Sequence, residues 1–247
     1  MPDATPSRRF LTALPVYNEV AHVEAVLDEV LRITPDVLVV DDGSTDGTAD
    51  LLAGRRDIRL VRHDANRGYG AALATAYAAT LAGAWEGLVT IDCDGQHQPR
   101  LIPEFVAAAT SGAADIVSGS RYLKQFPGDS TPPAARRRIN AEITAEINAR
   151  LGLAITDAFC GFKAYSRRAL RRLHVTETGY AMPLEVWVQA AAAGLRIKEL
   201  PVPLLYLDLA RSFGGALDDA ATRLAYYRTV LDRAEASVAL QAAATTP

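Results

Sequence analysis

Short apolar runs alternate with longer amphipathic segments between residues 10 and 120, and this pattern predicts strands that alternate with helices. In the segment 19–32, for example, Val23, Val26, Leu27 and Val30 fall on one helical face. Ser44 or Thr45 is the predicted N-cap of the next helix. The predicted strands are 10–14, 37–40, 58–61, 88–91 and 116–117, and the predicted helices are 19–32, 45–53 and 68–81.

Alternating strands and helices are joined by right-handed crossovers and form a mostly parallel sheet with helices on both faces. We therefore expect an α/β, Rossmann-like fold. Ligands of such sheets bind beyond the carboxyl ends of the strands. Polar segments follow four of the predicted strands, so we expect one site where they meet. These segments are 17–19, 41–44, 66–68 and 92–94.

The alternation ends after residue 120. Residues 122–135 contain Pro127, Gly128, Pro132 and Pro133, which break regular structure and are typical of a mobile substrate loop. Further helices are predicted at 136–151, 184–193 and 216–235, and a short strand at 196–200. We expect a flexible N-terminus over 1–9, one domain over 10–212 and a helical tail over 213–247.

Composition narrows the class of protein. The chain has 247 residues, of which 49% are apolar and 22% charged, as in an ordinary globular protein. A net charge of −3 argues against a general nucleic-acid binder. Cys93 and Cys160 are the two cysteines, too few for a disulfide framework, which favours a reducing cytoplasm. The sequence holds no apolar run long enough for a transmembrane helix, so none is expected.

The segment 92–96 is the main candidate for chemistry. Asp92 and Asp94 lie one residue apart, directly after the apolar run 87–91. Carboxylate oxygens in this position suit Mg²⁺ or Mn²⁺, and such ions are commonly shared with the phosphates of a substrate. An acidic turn after a strand is the alternative.

Six segments, in this order, resemble those of family 2 glycosyltransferases with the GT-A fold. The most similar branch contains the dolichyl- or polyprenyl-phosphate sugar synthases, and the resemblance spans roughly residues 10–205. It implies inverting transfer of a hexose from a GDP- or UDP-sugar, with Mg²⁺ or Mn²⁺. The matching segments are 14–19, 39–48, 66–71, 92–99, 118–122 and 157–162.

The resemblance also implies a set of residues for the sugar donor. Asp92, Asp94 and Gln96 are the implied metal ligands, with Asp94 the direct one. Structural alternatives remain open: Tyr17 as a packing residue, 42–43 as a plain turn and 66–70 as a helix entry. The implied nucleotide-binding residues are Pro15, Tyr17, Glu19, Asp41, Asp42, Ser44, Gly70 and Asp92.

The chemistry of the acceptor distinguishes the polyprenyl-phosphate branch of the family from branches that use a hydroxyl acceptor. A phosphate acceptor is already nucleophilic and requires cations, whereas a hydroxyl acceptor requires a carboxylate base. Arg121, Arg137 and Arg211 match the acceptor-phosphate pattern. Asp157 is the carboxylate suited to a base, but it has two alternative roles: orienting a sugar hydroxyl, or holding a nearby arginine. Asp94, Asp157 and Arg121 are therefore the candidate catalytic residues.

Three functions follow. The first is hexose transfer to a polyprenyl phosphate at the inner membrane surface, the second is the same chemistry on a soluble hydroxyl acceptor, and the third is a non-catalytic module that binds nucleotide sugars. The tail 218–235 carries apolar and basic residues at helical spacing. It is interpreted as an interfacial membrane helix, a helix packed on its own domain, or a homodimer contact.

Overall fold

The computed structural model describes residues 9–207 and 215–245. Within these ranges the seven strands are β1 (Phe10–Val16), β2 (Val37–Asp41), β3 (Arg59–Arg62), β4 (Gly87–Thr90), β5 (Ile116–Ser120), β6 (Lys163–Ser166) and β7 (Ile197–Pro201). They form one sheet in the order β3-β2-β1-β4-β6-β5-β7. Strand β6 is antiparallel to β4 and β5, and the other neighbours are parallel. The predicted α/β fold with a mostly parallel sheet is confirmed.

Helices cover both faces of the sheet. Alternate residues of β1 point to opposite faces, with Leu11 in one hydrophobic cluster and Leu14 in the other. The helices of the described ranges are α1 (Val23–Ile33), α2 (Thr48–Ala53), α3 (Tyr69–Ala82), α4 (Ile102–Thr110), α5 (Ala134–Leu151), α6 (Arg167–Leu170), α7 (Met182–Ala192) and α8 (Ala220–Thr245). The cluster of Leu11 contains side chains of α3, α5, α7 and α8, whereas the cluster of Leu14 contains those of α1, α2 and α4.

Three helix starts lie three or four residues from the sequence prediction, and one of them is that of α8, which begins at Ala220 rather than at residue 216. Helix α1 begins at Val23 rather than at residue 19, because residues 17–22 form a turn in which Asn18 has a φ of 54°. Helix α2 begins at Thr48 with Gly47 as its N-cap, at a φ of 100°. Ser44 and Thr45 are therefore not the cap. The structure also contains α4, which the sequence pattern did not predict.

The tail helix α8 packs on its own domain. Tyr227, Val230, Leu231 and Ala234 are buried in the same cluster as Trp187 of α7. This apolar face is used for internal packing, which is one of the three interpretations of the tail. Among residues 9–207 and 215–245, no helix is both long enough and apolar enough to cross a membrane.

Candidate active site

A cleft of about 840 Å³ opens beyond the carboxyl ends of β1, β2 and β4. The loops that follow these strands form one wall, and residues of α5, α7 and α8 form the other. The structure thus brings together most of the segments that the sequence placed at this edge. The predicted residues that line the cleft are Pro15, Tyr17, Glu19, Asp42, Asp92, Asp94, Gln96 and Arg121.

The loops after β1 and β2 are fastened to each other. The backbone N–H of Asn18 donates to Ser44 Oγ at 2.9 Å, and that of Thr45 donates to Asn18 Oδ1 at 2.8 Å. The N–H of Glu19 donates to Thr48 Oγ1 at 2.9 Å. Ser44 is buried and lies outside the lining of the cleft, so its hydroxyl fixes the loop that presents Tyr17 and Glu19.

The two adjacent acids at the end of β2, Asp41 and Asp42, both have protein partners. Asp41 is buried, accepts from the N–H of Ser44 at 2.9 Å and pairs with Arg62 at 3.2 Å. Asp42 accepts from the N–H groups of Arg67 (3.0 Å) and Gly68 (2.7 Å), which places its charge at the start of α3. Asp41 is therefore behind the cleft wall, whereas Asp42 is part of it.

Gly70, a predicted nucleotide-binding residue, packs against the backbone of Glu177 and Thr178. Its N–H donates to Thr178 O at 2.7 Å, and a Cβ at this position would lie 2.1 Å from Glu177 O. This close approach of two backbones requires glycine and leaves Gly70 outside the lining of the cleft. Gly70 thus holds α3 against the loop 176–179, and its nucleotide-binding role stays a prediction.

The acidic pair Asp92 and Asp94 lines the cleft. Tyr69 Oη donates to Asp92 Oδ1 at 3.0 Å, and Asp94 Oδ1 accepts from the N–H of Gln96 at 3.0 Å. A Cβ at Gly161 would lie 2.3 Å from Asp92 Oδ2, so glycine at that position makes room for the carboxylate. The orientation of Asp92 is therefore set by Tyr69 and by the backbone at Gly161.

The side chains of this pair fit a hard divalent cation. Among residues 9–207 and 215–245, no group of three or more His, Cys, Asp or Glu residues could hold a metal ion. Asp92, Asp94 and the amide of Gln96 together supply oxygen donors on one wall of the cleft. Mg²⁺ and Mn²⁺ accept such incomplete sets, because waters and substrate phosphates complete the coordination. A metal at this position would be shared with a substrate.

Arg121, which lines the cleft, forms an ion pair with the buried Asp157. Arg121 Nε and Nη2 donate to the two carboxylate oxygens of Asp157 at 2.7 and 2.9 Å. Asn140 Nδ2 adds a third bond at 2.9 Å. Burial alone would raise the pKa of Asp157, but the charge of Arg121 and these hydrogen bonds outweigh it and hold that pKa well below its usual range.

A carboxylate with such a low pKa is a weak base for a sugar hydroxyl. Asp157 is fully buried and lies outside the lining of the cleft, whereas Arg121 is part of it. Of the roles that the sequence left open for Asp157, holding a nearby arginine is the one that matches this geometry.

Arg136, Arg137 and Arg138 are consecutive at the start of α5, and of these Arg136 lines the cleft. Arg137, the predicted one, is exposed, and its Cζ lies 3.8 Å from the centroid of the Tyr122 ring. The helical phase explains the difference, since Arg136 shares its face with Ile139 and Asn140, three and four residues later. Arg211 lies outside the described residues.

Several residues of the cleft were missed by the sequence analysis. Tyr69 and Tyr180 lie with their ring centroids 5.9 Å apart, and both line the cleft. Arg223 and Tyr227 of α8 line it from the other side. The spacing of Arg136 to Asn140 could have indicated the inward arginine, whereas Tyr180 and Tyr227 are too distant in sequence for any local pattern to place them.

Comparison with known proteins identifies the relatives of this chain. The profile described as "Glycosyl transferase family 2" matches residues 12–173. The undecaprenyl-phosphate mannosyltransferase of Micrococcus luteus is 31% identical, over 87% of this chain and 92% of its own. The polyprenol monophosphomannose synthase of Mycolicibacterium smegmatis is 30% identical, over 94% of this chain and 92% of its own.

Solved structures show the same fold. The glucosyl-3-phosphoglycerate synthase of Mycobacterium tuberculosis, in a crystal structure with Mg²⁺ and UDP, superposes with a TM-score of 0.70. It covers 92% of this chain and 79% of its own at 19% identity. At this identity the likeness concerns the fold alone, and it agrees with the GT-A architecture expected from the sequence.

Proposed function

The chain belongs to glycosyl transferase family 2, and we propose that it transfers a hexose from a nucleoside-diphosphate sugar to a polyprenyl phosphate, with inversion. One observation carries this proposal: the same cleft is lined by the acids Asp92 and Asp94 and by the cations Arg121 and Arg136. The acids suit a metal-bound diphosphate. The cations suit a second, separate phosphate on the acceptor.

The donor nucleotide is assigned to the wall formed by the loops after β1 and β2. Tyr17 is exposed at the mouth of the cleft, where its ring can cover a base, and Glu19 and Asp42 offer carboxylates beside it. Asp94 and Gln96 would hold Mg²⁺ or Mn²⁺, with Asp92 held by Tyr69. When bound, this metal neutralises the charge that develops on the leaving diphosphate.

The acceptor phosphate is assigned to Arg121 and Arg136. An oxygen of the acceptor phosphate forms the bond to the anomeric carbon while the bond from that carbon to the diphosphate breaks, and the nucleoside diphosphate leaves with the electron pair. The phosphate arrives already ionised, so no side chain has to remove a proton. The low pKa of Asp157 therefore favours a phosphate acceptor over the hydroxyl acceptor that would need Asp157 as its base.

The two relatives support the lipid acceptor, since one is named as an undecaprenyl-phosphate mannosyltransferase and the other as a polyprenol monophosphomannose synthase. Their names also favour mannose as the hexose. Membership of the family makes the chain a glycosyltransferase, and this leaves the non-catalytic binding module without support.

The test compares two short-chain acceptors that differ only in the phosphate. Purified protein is given GDP-mannose, UDP-glucose or another nucleotide sugar with Mn²⁺, and either a prenyl phosphate or the matching prenyl alcohol. We expect transfer to the phosphate alone, and a thermal shift with the preferred nucleotide sugar that is larger with Mn²⁺. Transfer to the alcohol at a similar rate would contradict the proposal.

A further inference from the structure

Two segments at the mouth of the cleft present apolar side chains to solvent. We call Tyr122, Leu123, Phe126, Tyr206 and Leu207 the rim. Leu123 is 45% exposed and Leu207 62% exposed, although each is an aliphatic residue. Tyr122, Tyr206 and Leu207 also line the cleft, so the apolar surface reaches into it.

Hydrogen bonds hold the two segments of the rim side by side. Asp129 accepts from the N–H of Phe126 at 2.7 Å through Oδ2, and from the N–H of Leu204 at 2.9 Å through Oδ1. The N–H of Ser130 donates to Leu204 O at 2.7 Å, and that of Tyr206 donates to Ser130 Oγ at 3.0 Å. The exposure of the rim is therefore a property of a connected structure and not of one loose side chain.

Cations accompany the apolar side chains. Lys124 Nζ lies 5.0 Å from the ring centroid of Phe126, and Arg137 stacks on Tyr122. Lys124 and Arg137 are exposed. Aromatic rings, aliphatic side chains and basic groups together are the composition of surfaces that bind at the interface of an anionic membrane. The charge is local, since the whole chain has a net charge of −3.

We propose that the rim inserts into the headgroup region of an anionic lipid bilayer and holds the mouth of the cleft against it. The proposal rests on the proposed lipid-phosphate acceptor, whose phosphate lies at that depth of a bilayer. The apolar face of the tail helix that carries Tyr227 and Leu231 is not available for this contact, because both side chains are buried against the domain. Exposed Leu123 and Leu207 provide the apolar contact, and Lys124 and Arg137 provide the attraction to anionic headgroups.

The test is flotation with vesicles of phosphatidylglycerol and phosphatidylcholine, compared with vesicles of phosphatidylcholine alone. We expect Leu123→Asp and Leu207→Asp each to lower partitioning to the anionic vesicles at least tenfold, which corresponds to about 1.4 kcal/mol. Leu60→Asp is the matched control, because Leu60 is 38% exposed on β3 and the charge change is identical. It should bind as the unmodified chain does.

Three outcomes overturn the proposal: no preference for anionic vesicles, equal losses with Leu60→Asp, or a dimer in solution that Leu123→Asp dissociates. The last outcome would assign the rim to contact between copies of the chain. Turnover of a water-soluble short-chain prenyl phosphate separates this proposal from the proposed function. If that turnover is present while vesicle binding is absent, the rim proposal alone fails; if it is absent while binding is present, the acceptor proposal alone fails.

Discussion

Replacing Asp157 by asparagine tests how the acceptor end of the cleft is organised. The change keeps the shape of the side chain but removes the charge that faces Arg121, which Asp157 contacts at 2.7 and 2.9 Å. The carboxylate is fully buried, and its loss leaves a guanidinium that is itself only 19% exposed without its counter-charge. Loss of one partner of a buried pair costs about 3–5 kcal/mol of unfolding free energy.

We expect a loss near 3 kcal/mol for Asp157→Asn, because the amide oxygen still accepts one bond and Arg121 borders the cleft. Urea denaturation measures this loss as a lower midpoint with an unchanged slope. Misplacement of Arg121 removes a charge-assisted hydrogen bond to the acceptor, so the acceptor KM should rise about 10- to 100-fold. The KM for the nucleotide sugar should not change.

Asp115→Asn is the matched control, since Asp115 is also buried and paired with two arginines, Arg168 and Arg196, outside the lining of the cleft. It should lower stability without a change in the acceptor KM. The reasoning is refuted if Asp157→Asn keeps its stability and its acceptor KM but loses kcat together with the acid limb of the pH profile. That result would identify Asp157 as a base.

Three further predictions concern the metal, the packing of α3 and acid stability. Asp94→Asn should abolish the part of the thermal shift with the nucleotide sugar that depends on Mn²⁺, and retain the metal-independent part. Gly70→Ala should lower the unfolding free energy by about 3 kcal/mol, because its Cβ would meet Glu177 O at 2.1 Å; Gly54→Ala, with 3.5 Å to its nearest neighbour, should be nearly neutral in the same urea titration. Arginine partners outweigh the effect of burial and lower the pKa of Asp115 from 3.8 to about 2 in the folded state. Asp115 therefore contributes about 2 kcal/mol to the free energy of unfolding above pH 4, and this contribution is lost as the pH falls to 2. In Asp115→Asn, urea denaturation at a series of pH values should no longer show that loss.

Each of these has a contrary result. An unchanged Mn²⁺-dependent shift in Asp94→Asn would remove that residue from the metal site. Equal stability of Gly70→Ala and Gly54→Ala would show that the loop 176–179 yields to a methyl group. A wild-type acid profile in Asp115→Asn would show that its arginine partners contribute nothing.

The alternation of apolar runs predicted where most strands lie along the chain and that the sheet is mostly parallel, because local periodicity locates alternating strands and helices. The order of the strands within the sheet was not predicted. Details that depend on backbone geometry or distant contacts were not predictable. Helix α2 begins after Gly47, which has a positive φ, and the N–H of Thr48 donates to Asp46 Oδ1 rather than to Ser44 or Thr45. Helix α4 was missed, although it is a regular helix between β4 and β5.

In the cleft, too, features set by the topology were predictable and features set by distant contacts were not. Asp92 and Arg121 each follow a strand, so the topology alone places them at one edge of the sheet. Gly70 carries the same polar loop signal, but its backbone approaches Glu177, which no local pattern reveals. Tyr227 lines the cleft because α8 packs against α7. It lies more than a hundred residues from the acidic pair in sequence, so no local pattern predicts it.

Mass spectrometry of the lipid product tests the central proposal most directly. Purified protein is incubated with a nucleoside-diphosphate hexose, Mg²⁺ and polyprenyl phosphate, and the lipid extract is analysed. We predict a polyprenyl phosphate that has gained one hexose, and we predict that Arg121→Ala loses this product while still binding the nucleotide sugar. Free hexose, a different acceptor, or full product from Arg121→Ala would contradict the account.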